Sequence, residues 1–115
     1  MDTEALAAAI RRVAAGESAA VILEAPGGYV QFAQQGRDAL LCEAAGEANL
    51  SSRMTPTQHR LLIDRRFAPP GRDGGGNHQR IFPGGTPPEE LAHFALETLA
   101  EVYGAAPAQV SLNEV

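Results

Sequence analysis

Residues 19–45 read AAVILEAPGGYVQFAQQGRDALLCEAA, and this stretch decides the fold. Three apolar segments are separated by turn signals at residues 26–28 and 35–38, where proline or glycine interrupts the pattern. Links as short as these join antiparallel neighbours, so the stretch predicts a three-stranded meander. The predicted strands are 19–25, 29–34 and 39–45.

Alternation in the second predicted strand separates two faces. Val30 and Phe32 point one way. Tyr29 and Gln31 point the other way. We expect Val30 and Phe32 to face a helical layer, because burying such side chains is worth about 1.5–3 kcal/mol each. Tyr29 and Gln31 then lie on the open side of the sheet.

The third predicted strand alternates in the same manner. Leu40, Cys42 and Ala44 share one face. Leu41 and Glu43 share the opposite face. Because Cys42 lies within an apolar strand, we interpret it as a small buried hydrophobic residue and not as a nucleophile.

Helix signals flank the meander on both sides. Asp2 or Thr3 can cap a first helix, and Thr55 with Gln58 predicts a capping box for a second. Residues 86–89 predict another capping box, at the start of a third helix that ends at Gly104. One further strand is predicted over 77–82. The order α-β-β-β-α-β(-β)-α predicts an α+β fold, a mostly antiparallel sheet with helices packed on one face.

The length of 115 residues is typical of one domain, so we expect a single domain over 1–115. Residues 68–76 combine two prolines with four glycines and predict a flexible loop inside that domain. The tail, residues 105–115, is short and mixed in character, and we expect it to fray.

The charge balance excludes several classes of function. Nine arginines and 14 acidic residues give a net charge of −5, which argues against nucleic-acid binding. No apolar run approaches the roughly 18 residues of a membrane span, so we expect no membrane partner. Asp2 and Glu4 stand where a signal peptide would be cationic, and Cys42 is the one cysteine. We therefore expect a cytoplasmic location.

Catalytic and metal-binding patterns are weak. The three histidines, His59, His78 and His93, are 19 and 15 residues apart and lack zinc-ligand spacing. The glycine run at 74–76 has neither the lysine nor the following helix of a phosphate-binding loop. We expect no metal, no cofactor, no catalytic residue and no enzymatic activity.

Several blocks of the sequence resemble a known family. Residues 26–33, 41–45, 49–50, 54–58 and 61–62 are similar to actinobacterial members of the TY-Chap group. This group joins YbjN-like proteins with class I type III secretion chaperones of the CesT kind. The resemblance extends over about residues 3–106. It implies the α+β order given above, frequent dimers, a role in binding peptides or partner proteins, and no enzymatic activity.

Two hypotheses for the function follow. The first is a chaperone-like module that holds an extended segment of a partner protein, favouring basic segments because the chain is acidic. Its partner-binding residues would be Tyr29, Gln31, Leu41 and Glu43, on the open side of the sheet. The second is a structural or regulatory homodimeric subunit that has no peptide client.

Overall fold

A computed structural model of the chain describes residues 1–50, 53–71 and 76–115. The helices are α1 (Thr3–Ala14), α2 (Pro56–Asp64) and α3 (Pro88–Tyr103), and the strands are β1 (Ala20–Ala25), β2 (Gly28–Gln34), β3 (Ala39–Ala44), β4 (His78–Pro83) and β5 (Ser111–Glu114). The predicted α+β class is confirmed. The fifth strand follows α3, whereas the sequence pattern allowed for it before α3.

The five strands form one sheet in the order β4-β3-β2-β1-β5, and every neighbouring pair is antiparallel. The predicted meander is confirmed, with boundaries within one residue of those expected. α1 and α3 contact each other and both contact β2, the central strand. α2 packs beside α3. The helices therefore cover one side of the sheet.

Burial follows the predicted alternation of the strands. Val30 and Phe32 are fully buried, so the expectation that they face the helices is confirmed. Leu40, Cys42 and Ala44 lie on the same buried side of β3. Burial raises the pKa of the Cys42 thiol, which keeps it protonated and confirms its interpretation as a small core residue.

Local capping explains where α1 and α2 begin. The Asp2 carboxylate accepts a hydrogen bond from the Glu4 amide at 3.0 Å. The Gln58 amide donates to the Thr55 hydroxyl at 3.1 Å, and the Thr55 amide donates to the Gln58 side chain at 2.8 Å. The predicted capping box is therefore confirmed. Gly104 ends α3 at φ 68°, a left-handed conformation that glycine adopts without strain.

The capping box predicted at the start of α3 is wrong. The Thr86 hydroxyl donates instead to the Pro83 carbonyl at 2.7 Å. Pro87 holds the N-cap position and offers no side-chain acceptor. The turn that leaves β4 thus uses the hydroxyl that the sequence pattern assigned to the helix.

The expectation that residues 105–115 fray is also wrong. These residues form a short 3-10 turn and then β5, which pairs with β1. Arg12 of α1 donates two hydrogen bonds to the Glu114 carboxylate, at 2.7 and 2.8 Å. Together with a hydrogen bond from Ser18, this holds the pKa of Glu114 at about 2. β5 is thus attached to both the sheet and α1.

The predicted loop over 68–76 lies partly outside the described residues, which omit 72–75. Within its described part, Ala68 forms an isolated antiparallel bridge with Gln79 of β4. In the described part of the chain, none of the helices is both long and apolar enough to cross a membrane.

Candidate functional site

The side of the sheet opposite α1 and α3 is named here the open face. Its outward side chains are Ala20, Ile22 and Glu24 on β1, Tyr29, Gln31 and Ala33 on β2, Ala39, Leu41 and Glu43 on β3, Gln79 and Ile81 on β4, and Ser111 and Asn113 on β5. The four residues that the sequence analysis selected, Tyr29, Gln31, Leu41 and Glu43, all lie here and are all partly exposed.

A hydrogen-bond network connects three of these four residues. Gln31 faces Glu43 across β2 and β3, and its amide donates to Glu43 Oε1 at 3.3 Å. Asn77 donates to Glu43 Oε2 at 3.3 Å. The Tyr29 hydroxyl donates to Asn77 Oδ1 at 2.9 Å. Leu41 lies beside this network without joining it.

Asn77 is the central residue of the network, and it was not among the residues predicted from the sequence. Its side-chain oxygen also accepts from the Gly46 amide at 3.2 Å and from Asn49 Nδ2 at 2.9 Å. Asn77 directly precedes β4 and has no local sequence pattern that marks it. Its position in the network follows from the pairing register of β3 and β4, which brings the start of β4 beside the end of β3. Asn77 therefore holds the polar end of the open face in place.

An aliphatic row crosses the open face beside the polar network. The strand register places Ala20 opposite Ala33, Ala33 opposite Leu41, and Leu41 opposite Ile81. Val115, just after β5, continues the row by donating its amide to the Ala20 carbonyl at 2.9 Å. Ile81 is 58% exposed and Val115 is 64% exposed. Adjacent strands lie about 4.8 Å apart, so the row runs across the full width of the sheet.

The charges on the open face are all negative. Glu24 and Glu43 project from it, and no arginine side chain does so among the described strand residues. Arg80 is the one arginine in the described strands, and it lies on the helix side of β4 between the buried His78 and Phe82. The open face therefore combines aliphatic contact surface with acidic and amide groups.

The two edges of the sheet differ in their capacity to accept another strand. At the β4 edge, the Ala68 amide donates to the Gln79 carbonyl at 2.7 Å, and the Gln79 amide donates back at 3.1 Å. Pro83, also in β4, has no backbone N–H to offer. β5 forms the opposite edge and is paired on its β1 side. Within the described part of the chain, strand addition is therefore hindered at β4 and not at β5.

A shallow cavity of about 250 Å³ lies at the polar end of the open face. It is lined by Tyr29, by Asn49 and Leu50, and by the turn that joins β1 to β2. A larger cavity of about 450 Å³ lies between α1 and α3, where Arg11 and Glu89 form an exposed ion pair at 3.0 Å. The smaller cavity adjoins two residues of the polar network, Tyr29 and Asn49, and the larger one adjoins none.

Two histidines that are distant in sequence meet in the structure. His59 of α2 and His78 of β4 have ring centroids 5.5 Å apart. His78 is 1% exposed, and its Nδ1 has no hydrogen-bond partner among the described residues. Burial, and secondarily the charge of His59, lowers the pKa of His78. In the described ranges, no group of three or more potential ligand side chains is placed to hold a metal ion.

The buried histidine makes stability depend on pH. An unfolded chain protonates His78 below about pH 6.5, whereas the folded chain keeps it neutral to lower pH. We therefore expect the free energy of unfolding to decrease as the pH falls from about 7.5 to about 5.5. Urea denaturation at each pH measures this. His78→Leu should flatten the dependence, while the exposed control His93→Leu should retain it; equal slopes would contradict the assignment.

Comparison with known proteins identifies the family. A family model described as TY-Chap3, T3SS (YopN, CesT) and YbjN peptide-binding chaperone 3, matches residues 3–114. The chain belongs to this family of chaperone-like, peptide-binding proteins. The comparison with curated proteins gave no match, and neither did the comparison with solved structures.

Proposed function

We propose that this protein holds an extended, basic and partly apolar segment of a client protein against the open face of its sheet, without catalysing a reaction. The observation that carries the proposal is the aliphatic row from Ile81 to Val115 alongside the acidic polar network. Family membership supports a peptide or protein partner. Two exposed large aliphatic side chains at the ends of one row are a surface that association would remove from water.

The chemistry of the face matches such a client. Apolar client side chains would contact Leu41 and Ile81, while arginine or lysine side chains would reach Glu43 and Glu24. The amide of Gln31 and the hydroxyl of Tyr29 offer hydrogen bonds to the client main chain. The cavity beside Tyr29 has room for one client side chain. The four residues selected from the sequence thus have separate roles in one binding surface.

A homodimer is part of the proposal. The β5 edge can pair with the same edge of a second copy, which would extend the sheet and leave both open faces accessible. Since Cys42 is a free buried thiol, the protein needs no oxidising compartment, and we place it in the cytoplasm.

Peptide binding tests the proposed function. The probe is a short labelled peptide that alternates arginine with leucine, and fluorescence anisotropy gives its Kd. We expect Leu41→Ser to raise the Kd about tenfold and Glu43→Gln to raise it about two- to fivefold. Affinity should decrease as NaCl rises from about 0.05 to about 0.5 M, because exposed charge pairs are screened.

Matched variants distinguish this binding from non-specific hydrophobic association. Ile81 and Ile63 are exposed to 58% and 47%, but Ile63 lies on α2, away from the open face. Ile81→Ser should weaken binding of the basic peptide, and Ile63→Ser should not. Affinity that increases with salt would reject the electrostatic component. If no basic peptide binds, while Ile81→Ser lowers the mass measured by light scattering, the structural homodimer without a client is the better description.

A further inference from the structure

The positive charge of this acidic protein is concentrated in one segment. Residues 53–80 contain six of the nine arginines but only two of the 14 acidic residues, so the segment carries +4 and the rest of the chain −9. Five of these arginines lie in the described residues, on α2, at its two ends and on β4. A net charge of −5 therefore conceals two regions of opposite sign.

Neighbouring carboxylates neutralise only part of this segment. Arg65 pairs with Glu101 at 2.5 Å and lies 4.0 Å from Glu97, and Arg53 lies 3.6 Å from Glu47. By contrast, three arginines of the segment have no ion pair with any described carboxylate; they are Arg60, Arg66 and Arg80. The charges of these three guanidinium groups are therefore not neutralised by a described carboxylate; Arg60 and Arg66 are exposed and Arg80 is half-buried.

Arg80 is held in place for such contacts. Its guanidinium donates to the Arg65 carbonyl at 2.8 Å and lies 4.3 Å from the centre of the Phe82 ring. It also lies 4.9 Å from the centre of the Phe94 ring, so it is held by a neutral carbonyl and two rings, none of which cancels its charge. Burial, together with repulsion from the nearby Arg66, lowers the pKa of Arg80. An added carboxylate would relieve that repulsion.

Arg66 has an unusual backbone conformation. It has φ 71° and is the one non-glycine residue with positive φ in the described part of the chain. It follows the C-cap of α2, where the amides of Arg66 and Phe67 donate to the carbonyls of Ile63 and Leu62, both at 3.0 Å. Helices usually place glycine at this position, because a side chain strains the left-handed backbone. An arginine at a position that favours glycine suggests that its side chain has a use.

An apolar contact accompanies the charges. Ile63 is 47% exposed and lies three residues after Arg60, so the two side chains are neighbours on the outer surface of α2. The arginine surface is defined by Arg60, Ile63, Arg66 and Arg80.

We propose that the arginine surface binds an acidic, partly apolar segment of a protein partner. Guanidinium groups pair with carboxylates through two parallel hydrogen bonds, and Ile63 would contact an apolar residue between the acidic ones. A long polyanion such as a nucleic acid or an anionic membrane fits poorly, because the remaining −9 would repel it across a molecule of only 35 × 32 × 23 Å. The open face has the opposite charge, so this site is independent of the function proposed above.

The test uses a short labelled peptide that alternates glutamate with leucine. We expect Arg60→Gln combined with Arg66→Gln to raise its Kd about tenfold, since two exposed ion pairs are lost. The matched control, Arg11→Gln with Arg37→Gln, changes the net charge equally and should leave the Kd unchanged. Arg66→Gly separates binding from folding. It should raise the midpoint of urea unfolding, because glycine adopts the left-handed backbone without strain, and still lower the affinity for the peptide.

Several results would overturn this proposal. The first is an equal loss of affinity in the control variant, Arg11→Gln with Arg37→Gln. The second is the absence of saturable binding up to about 1 mM peptide. The third is tighter binding of a single-stranded oligonucleotide or of phosphatidylglycerol vesicles than of the peptide at the same salt concentration. Binding of the arginine–leucine peptide should be unaffected by Arg60→Gln with Arg66→Gln. The two proposals can therefore fail separately.

Discussion

Replacing Phe32 with alanine is expected to lower the free energy of unfolding by about 3–5 kcal/mol. Phe32 is fully buried in the central strand, between Val21 of β1 and Cys42 of β3. The truncation leaves a cavity beneath α1 and α3 that paired strands on both sides cannot close. Urea denaturation followed by circular dichroism measures the loss, and an unchanged slope m shows that the folded state is retained.

Two further variants test whether the loss reflects the buried face. Ile81→Ala removes an aliphatic side chain that is 58% exposed, so its effect should stay within about 0.5 kcal/mol. Tyr29→Ala removes a partly exposed ring and one hydrogen bond, and should cost less than Phe32→Ala. If Tyr29→Ala unfolds the protein while Phe32→Ala is nearly silent, the assignment of the two faces is reversed.

The second large effect is expected at Gly28, the first residue of β2. A Cβ atom there would lie 2.4 Å from Cδ1 of Tyr103. That ring cannot move away freely, because it is buried and its hydroxyl donates to the Ala45 carbonyl at 2.6 Å. Gly28→Ala should therefore lower the free energy of unfolding by about 1–3 kcal/mol through overpacking.

A matched glycine provides the control. A Cβ atom at Gly85 would meet no described residue within 4 Å, so Gly85→Ala should change stability by no more than about 0.5 kcal/mol. Both variants are measured by urea denaturation. Equal effects at the two positions would show that loss of backbone freedom, and not contact with Tyr103, determines the result.

The packing around Gly28 and Phe32 also supports the proposed binding surface. Gly28 precedes Tyr29 in β2, and the Tyr103 ring packs beneath it on the helix side. Phe32 fixes the same strand further along. The open face is therefore presented by a strand whose buried side is fully packed, so side chains such as Tyr29 and Gln31 are positioned before a partner arrives.

Local physics made much of this fold predictable from the sequence. The alternation of Val30 and Phe32 with Tyr29 and Gln31 assigns the faces, because a strand has a period of two residues and apolar side chains avoid water. The capping box of Thr55 depends on residues only three apart. The same two-residue period of strands allowed the four residues selected for partner binding to be placed together on one face.

Tertiary structure decided the features whose partners are far apart in the chain. Asn77 becomes the centre of the polar network, and His59 meets His78, only because the strand register and the packing of α2 bring them together. β5 forms because it pairs with the edge of β1 and because Arg12 donates two hydrogen bonds to Glu114. The sequence of residues 111–114 alone does not predict either interaction. A local pattern specifies side-chain direction within one element, whereas contacts between elements depend on how the whole chain minimises its free energy.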